Sequence, residues 1–170
     1  MKKIKTALIL IVCSLIIYLG SLVIFEIKKK NQLNSKIKSI PSFTFTTLEH
    51  NDFTRDNLRK NTNKIFIYFN TECDYCKDEA ILISNRKNDL NNCQIIFVSS
   101  ESIDKIEDFS TRYNLDNSES IVFLQDKEDV FYKKFNANSI PYILIYNTKG
   151  SLLKAHKGQL NFKYLENIIQ

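Results

Sequence analysis

Residues 6–25 form an uninterrupted stretch of twenty residues without a charge (TALILIVCSLIIYLGSLVIF), which limits the folds open to the chain more than any other feature. As an α-helix with a rise of about 1.5 Å per residue, this stretch spans a hydrocarbon core of roughly 30 Å. A buried helix of a globular domain is disfavoured, because the stretch has no polar face. We therefore expect an uncleaved, single-pass membrane anchor over residues 1–26.

A cleavable signal peptide is the alternative for this N-terminal segment. The apolar region of a signal peptide is usually about 7–15 residues long, and a small-x-small cleavage site follows it. The stretch here is longer and lacks a convincing site of that kind. A lipoprotein would use Cys13, but Val12 before it is bulky and the apolar run continues well past it. Lysines flank both ends of the stretch, so the positive-inside rule does not set its orientation.

The formal net charge of +5 is distributed unevenly along the 170 residues. Residues 1–38 contain eight lysines and one acid, whereas residues 39–170 contain 16 basic and 18 acidic residues. The excess positive charge therefore belongs to the N-terminal segment, and nucleic-acid binding loses its main support. We expect a basic tether over residues 27–40 and one globular domain over residues 41–170.

Strand and helix patterns alternate through the globular domain. Continuous apolar runs indicate buried strands, and apolar residues at helical spacing indicate helices. The predicted strands lie at residues 43–45, 64–69, 94–98, 121–124, 142–146 and 151–153. The predicted helices begin at about residues 54, 73, 103, 130 and 161. This order predicts an α/β domain with a mixed central sheet.

The motif Cys73-Asp-Tyr-Cys76 is the strongest candidate for chemistry, because it follows a predicted buried strand and opens a helix. The first N–H groups of a helix lack internal partners and carry about half a positive charge, which stabilises a thiolate. Cys73 is therefore the expected nucleophile. Cys76 lies on the same side of the first turn, where its sulfur can close a disulfide with Cys73 or resolve a mixed disulfide.

An isolated pair of this kind is also compatible with half of a zinc site or with a non-catalytic disulfide. Zinc is disfavoured, because a second CxxC motif is lacking and His50 and His156 stand alone in the sequence. We expect no metal and no cofactor beyond the redox-active cysteine pair. Cys93 is expected to be a small, semi-buried hydrophobic residue, and Cys13 to face the membrane.

The chain resembles the thioredoxin-like superfamily, and within it the membrane-anchored TlpA/ResA-like thiol-disulfide oxidoreductases of bacteria. The matching features are the strand at residues 65–69, the motif Cys73-Asp-Tyr-Cys76, and Ser139-Ile-Pro141 ahead of the strand at residues 142–146. The resemblance covers roughly residues 40–170. It implies a thioredoxin-like α/β fold, with a central mixed sheet flanked by helices and preceded by a single transmembrane helix.

The resemblance also implies roles for individual residues. Pro141 would follow a cis peptide bond and face the cysteines, and Ile140 would offer backbone hydrogen bonds to an extended substrate segment. Asp74 and Tyr75, between the two cysteines, would also contact the substrate. Glu79 follows the second cysteine by three residues and would tune the thiols.

The chain departs from the usual thioredoxin pattern close to the cysteines. Glu72 occupies the position of the usual tryptophan, and Tyr75 that of the proline common before the second cysteine. Ile67 replaces a buried acid that thioredoxins carry six residues before the first cysteine. This departure leaves Glu79 or water to deprotonate Cys76.

Two acids, Glu72 and Asp74, flank the first cysteine of the motif. Their charges should oppose the stabilisation of a Cys73 thiolate by the helix N-terminus. The sequence therefore predicts a comparatively reducing cysteine pair.

Together these features predict a membrane-tethered thiol-disulfide oxidoreductase that exchanges dithiol for disulfide with protein substrates. The resemblance implies the bacterial cytoplasmic membrane, a domain on its extracytoplasmic side, and a membrane electron donor as a second partner. No nucleic-acid partner is expected. The alternative is a thioredoxin-fold binding module with a structural or vestigial CxxC, and a peroxidase is a weaker third interpretation.

Overall fold

The computed structural model describes residues 14–25 and 35–169. Contacts divide the chain into two units, Met1–Lys36 and Ile37–Gln170. In the first unit, residues 14–25 are helical and their large apolar side chains are exposed. The rest of the expected anchor, with Cys13, and residues 27–34 of the expected tether lie outside the described residues. None of the helices within the described ranges is both long and apolar enough to cross a membrane.

The described part of the second unit contains one mixed β-sheet. Its strands are β1 (Thr44–Thr47), β2 (Asp52–Thr54), β3 (Asn63–Tyr68), β4 (Cys93–Ser99), β5 (Ile121–Gln125), β6 (Tyr142–Tyr146) and β7 (Leu152–Lys157). They are arranged in the order β2-β1-β5-β4-β3-β6-β7. β3, β4 and β5 are parallel, whereas β6 runs antiparallel to β3. The expected mixed central sheet is confirmed.

Helices cover both faces of this sheet. They are α1 (Asp74–Arg86), α2 (Ile103–Arg112), α3 (Val130–Phe135) and α4 (Phe162–Ile169). The side chains of β3 alternate between two core clusters. Ile65 and Ile67 share one cluster with Ile83 of α1, whereas Phe66 packs with Phe131 of α3 on the opposite face. Burial on both faces explains why β3 is an unbroken apolar run.

The pairing of the central strands brings three chain segments to one edge of the sheet. Tyr68, the last residue of β3, pairs with Tyr142, the first residue of β6. It also pairs with Val98, near the end of the parallel strand β4. The segments after β3, after β4 and before β6 therefore meet at this edge, which positions the site described below.

The chain near residue 54 differs from the sequence prediction. Asp52–Thr54 forms β2, a short strand antiparallel to β1 that the pattern did not predict. The helix expected from Thr54 is only a 3₁₀ turn, Arg55–Asn57. Thr54 and Asn57 form a capping box, but Leu58 returns to an extended conformation and ends the turn after three residues.

The last four residues of the expected tether, 37–40, belong to the second unit. Ile37 is fully buried and Ile40 is 5% exposed. The Leu152 N–H donates to the Lys38 carbonyl at 2.8 Å, and the Ile40 N–H donates to the Gly150 carbonyl at 3.2 Å. The compact unit therefore begins at Ile37, four residues before Pro41, where the sequence pattern becomes globular.

Candidate active site

Cys73 lies at the junction between β3 and α1, where it is the N-cap residue of the helix. Its backbone is extended (φ −78°, ψ 116°), and its carbonyl accepts hydrogen bonds of 3.0 Å from the Cys76 and Lys77 N–H groups. Its side chain caps no helix N–H. Cys73 is half-buried, and its sulfur, which is not used in capping, belongs to the residue at the positive end of the helix.

Cys76 lies one turn into α1 and is only 1% exposed. Both cysteines are free thiols in the structure. Burial raises the pKa of the Cys76 thiol far above its usual range, and the hydrogen bond that this thiol donates to the Cys73 sulfur raises it further. The motif thus combines a reachable sulfur with a buried partner that holds its proton.

Glu79 lies on the next turn of α1, on the same side of the helix as Cys76, and is 2% exposed. Its Oε2 accepts a hydrogen bond of 2.9 Å from the Leu160 N–H. Burial raises the pKa of Glu79 to about 7, although the Leu160 hydrogen bond opposes this shift. The charge of Glu79 in turn raises the pKa of Cys76. A carboxyl group that titrates near neutrality is therefore electrostatically coupled to the buried thiol.

The acids beside Cys73 differ in their surroundings. Asp74 is exposed, and its Oδ1 lies 3.0 Å from the Lys77 Nζ. Glu72 is also exposed, and its N–H donates to the Asn70 Oδ1 at 2.9 Å. The expected effect of Asp74 on a Cys73 thiolate is therefore partly offset by Lys77, a cation that the sequence prediction did not consider.

The Ile140–Pro141 peptide bond is cis. Pro141 is buried at the start of β6, and its carbonyl accepts a hydrogen bond of 2.8 Å from the Gly158 N–H. The strand register places Pro141 at the edge of the sheet where β3 ends and the cysteine motif begins. Ile140 is 42% exposed and Tyr75 is 65% exposed, so both offer apolar surface.

Glu101 belongs to this site although the sequence did not single it out. It follows the end of β4, and its side chain is 12% exposed. Its carboxylate accepts hydrogen bonds from the Thr71 N–H (2.6 Å) and the Thr71 hydroxyl (3.0 Å). Because Thr71 lies two residues before Cys73, Glu101 fixes the approach to the cysteine motif. The position of Glu101 could have indicated this role, because Glu101 follows a parallel strand that ends at the same edge of the sheet as β3.

The other candidate residues, Cys93 and His156, do not belong to this group of side chains. Cys93 is 1% exposed in the core cluster of α1, and burial raises the pKa of its thiol to about 11. Cys93 is therefore a small hydrophobic residue as expected, but it is fully buried and not semi-buried. The His156 ring contacts the Gln159 carbonyl at 2.9 Å. Within the described ranges, no group of three or more His, Cys, Asp or Glu side chains is placed to hold a metal ion.

A cysteine pair at the start of the helix after the central strand, with a cis-proline at the same sheet edge, defines a protein of the thioredoxin-like class. The model of the AhpC/TSA family matches residues 37–155, and the chain belongs to this family. Comparison with curated proteins gives no match. The resemblance to the thioredoxin-like superfamily is confirmed.

Solved structures share the fold at low sequence identity. A thioredoxin-like protein from Aeropyrum pernix is 17% identical, with a TM-score of 0.64 over 88% of this chain and 98% of that chain. A secreted Mycobacterium tuberculosis disulfide oxidoreductase, homologous to E. coli DsbE, is 17% identical, with a TM-score of 0.62 over 79% and 96%. StoA from Bacillus subtilis is 19% identical, with a TM-score of 0.61 over 78% and 99%. These likenesses establish the fold.

Proposed function

We propose that the protein is a membrane-tethered thiol-disulfide oxidoreductase that exchanges dithiol for disulfide with protein substrates through Cys73 and Cys76. One observation carries the proposal: a half-buried cysteine at a helix N-terminus has its partner thiol buried one turn behind it. This asymmetry suits disulfide exchange, because the more accessible Cys73 can attack the substrate disulfide and the buried Cys76 can then resolve the mixed disulfide.

The reaction proceeds in two exchanges. The Cys73 thiolate attacks one sulfur of a substrate disulfide, so that a mixed disulfide forms and the first substrate thiolate leaves and takes up a proton. Cys76 then loses its proton and attacks the Cys73 sulfur, which releases the second substrate thiol. The substrate gains two electrons and two protons, and the cysteine pair becomes a disulfide.

The second exchange requires a base, because burial holds the proton on Cys76. Glu79 is the nearest candidate along α1, and its carboxyl group is about half ionised near pH 7. Its ionised form can accept the Cys76 proton. Ile67, fully enclosed in β3, offers no such group at the position where thioredoxins carry an acid.

The exposed surface around Cys73 provides the contact area for the substrate in this proposal. Tyr75 and Ile140 supply apolar surface, Asp74 supplies charge, and the backbone beside Pro141 supplies hydrogen-bonding groups. An extended segment of the substrate can form hydrogen bonds with the backbone that precedes β6, at this end of the strands.

The membrane part of the proposal rests on the uncharged stretch at residues 6–25. In our proposal this stretch anchors the protein in a bacterial cytoplasmic membrane, with the domain on the extracytoplasmic side. A membrane electron donor would then return the Cys73–Cys76 disulfide to the dithiol after each cycle.

Reduction of insulin disulfides by the purified chain with dithiothreitol tests the chemistry. We expect activity to be lost in Cys73→Ser, and Cys76→Ser to accumulate a mixed disulfide that dithiothreitol releases. Cys93→Ala is the control, because it removes a buried thiol outside the motif and should keep most of the activity. A chain that never cycles between dithiol and disulfide would contradict the proposal and favour the binding module.

A further inference from the structure

We propose that the second unit carries a binding cleft for a phosphoryl anion, at the end of β3 opposite to the cysteines. The cleft has a volume of about 590 Å³. The 3₁₀ turn after β2, the chain segment at Ser39 and the turn between β6 and β7 form its walls. No acidic residue lines it, and its basic residues are Arg55, Arg59, Lys60, Lys64 and Lys149.

This concentration of positive charge contrasts with the rest of the unit. Residues 37–170 contain 17 basic and 18 acidic residues, so the unit as a whole is close to neutral. The nearest acid in sequence, Asp56, is exposed and does not line the cleft. Among the described residues, none of the five basic side chains forms an ion pair with a carboxylate. The cleft is therefore a local centre of uncompensated positive charge.

Lys64 gives an independent indication that an anion belongs in the cleft. Lys64 is only 5% exposed, and its Nζ donates one hydrogen bond, of 2.6 Å, to the Thr62 carbonyl. An ammonium group has three donors, and a buried charge is costly unless it is paired. Burial accordingly lowers the pKa of Lys64. An anion in the cleft would supply the missing acceptors and the missing counter-charge.

Backbone hydrogen bonds hold two walls of the cleft in place. The cationic side chains of these walls are therefore available to bind an anion. The Arg59 N–H donates to the buried Gln94 Oε1 at 2.8 Å, and the Lys149 N–H donates to the Asn147 Oδ1 at 3.0 Å. Within the described ranges, the structure shows no hydrogen bond from the side chains of Arg59 and Lys149. Binding an anion there requires little rearrangement of the chain, which favours affinity.

The donors define the class of ligand. Guanidinium groups present planar forks that match phosphate oxygens, and ammonium groups add charge at points around them. A phosphoryl group is the anion that suits this mixture best. It can come from the headgroup of an anionic phospholipid or from a soluble phosphate compound, and the experiment below separates these two sources.

Isothermal titration calorimetry on the full chain in an uncharged detergent tests the proposal. The probes are inorganic phosphate, glycerophosphoglycerol and the zwitterionic glycerophosphocholine. We expect an anionic probe to bind once per chain. Arg59→Gln/Lys149→Gln should weaken that binding about tenfold or more, as expected for the loss of charge-assisted hydrogen bonds.

The control variant Lys157→Gln/Lys163→Gln removes the same charge from outside the cleft and should change the affinity less than about twofold. Lys64→Met probes the buried ammonium. Because Lys64→Met can disturb folding, circular dichroism must show a native spectrum before its affinity is compared. If Lys64→Met does not fold, Arg59→Gln/Lys149→Gln still tests the proposal, because it changes only exposed side chains of the cleft.

The order of affinities identifies the source of the ligand. Tighter binding of glycerophosphoglycerol than of inorganic phosphate supports a lipid headgroup, and the reverse order supports a soluble phosphate compound. Absence of binding by both anionic probes overturns the proposal. An equal loss of affinity in the control variant also overturns it, because the effect would then follow net charge rather than the cleft.

Discussion

Glu79 gives the protein a predicted pH dependence of stability. Folding raises the pKa of Glu79 to about 7 from an ordinary value near 4.3, because the carboxyl group is buried. The folded protein therefore holds a proton that the unfolded chain releases across this interval. The contribution of Glu79 to the free energy of unfolding is largest below about pH 4, falls as the pH rises, and levels off above about pH 7. At about 1.4 kcal/mol per unit of pKa shift, it falls by about 4 kcal/mol.

Chemical denaturation of the wild type and of Glu79→Gln at several pH values measures this contribution. Glutamine keeps an oxygen for the Leu160 N–H but does not titrate in this range, so the curve of the variant should be flatter between pH 4.5 and 7. Parallel curves for the two proteins would show that the carboxyl group titrates as it does in water.

Glu101 provides a second prediction, because its carboxylate receives both the N–H and the hydroxyl of Thr71. Glu101→Ala leaves these donors without their acceptor and should lower the free energy of unfolding by about 2 kcal/mol. It should also slow insulin reduction, since the loop before Cys73 loses its support. Glu107→Ala, which removes an exposed glutamate from α2, is the control and should change neither quantity appreciably. Equal effects of the two variants would contradict the role of Glu101.

Among the elements, α3 depends on a single buried carboxylate. The side chain of Asp126 accepts hydrogen bonds from the Val130 N–H (2.9 Å) and the Phe131 N–H (2.7 Å), at the start of the helix. α3 in turn buries Phe131 and Phe135 completely, and their rings stack with centroids 4.4 Å apart. The position of these two rings in the core therefore depends on the cap that Asp126 provides.

Replacing this cap should destabilise the fold through α3. We expect Asp126→Ala to lower the free energy of unfolding by about 1–3 kcal/mol and to speed hydrogen exchange at the Val130 and Phe131 amides. Asp126→Asn keeps one acceptor and should lose less. Exchange that stays as slow as in the wild type would show that packing alone holds the helix.

The sequence predicted the long elements better than the short ones. β3 and β4 are continuous apolar runs because helices cover both faces of the sheet. Such runs can be recognised in the sequence alone. β2 has only three residues, and it exists because Asp52–Thr54 pairs with β1, which no local pattern shows. The cysteines of α1 could likewise be recognised from the sequence, but the hydrogen-bond partner of Glu79 could not, because Leu160 lies 81 residues away.

The role of Glu101 was hidden for a related reason. A charged residue after a strand normally indicates a solvated loop, and its acceptor role depends on Thr71, thirty residues earlier in the chain. The ion pair between Asp74 and Lys77 lies within one turn and could have been predicted from the spacing i, i+3. Contacts between distant segments are what the sequence alone left undetermined.

For the whole molecule, the start of the compact unit leads to a prediction about truncation. Ile37 and Ile40 are buried, so a chain that begins at Ile37 should unfold at nearly the same denaturant concentration as the full chain. A chain that begins at Ser42 loses both side chains and should be less stable by about 3–6 kcal/mol. Equal midpoints for the two truncated chains would show that residues 37–40 contribute little to the fold.

The proposed membrane anchor is tested at the same scale by fractionation of cells that express the protein. The full chain should remain in the membrane pellet after extraction with alkaline carbonate, because an inserted apolar helix is not displaced by high pH. A chain that begins at Ile37 should move to the supernatant. Release of the full chain by carbonate would contradict a membrane-spanning anchor.

The hydrogen bond from the Leu160 N–H to Glu79 makes the segment just before α4 part of the candidate active site. The residues that follow Leu160 continue into α4, so a label, a fusion partner or a cleavage event that displaces this segment would remove the N–H donor from the Glu79 carboxylate. Reporters for this protein are therefore better attached elsewhere. If the proposed function holds, a proteolytic cut near residue 160 would change the surroundings of Glu79, and through them the pKa of Cys76, without removing either cysteine.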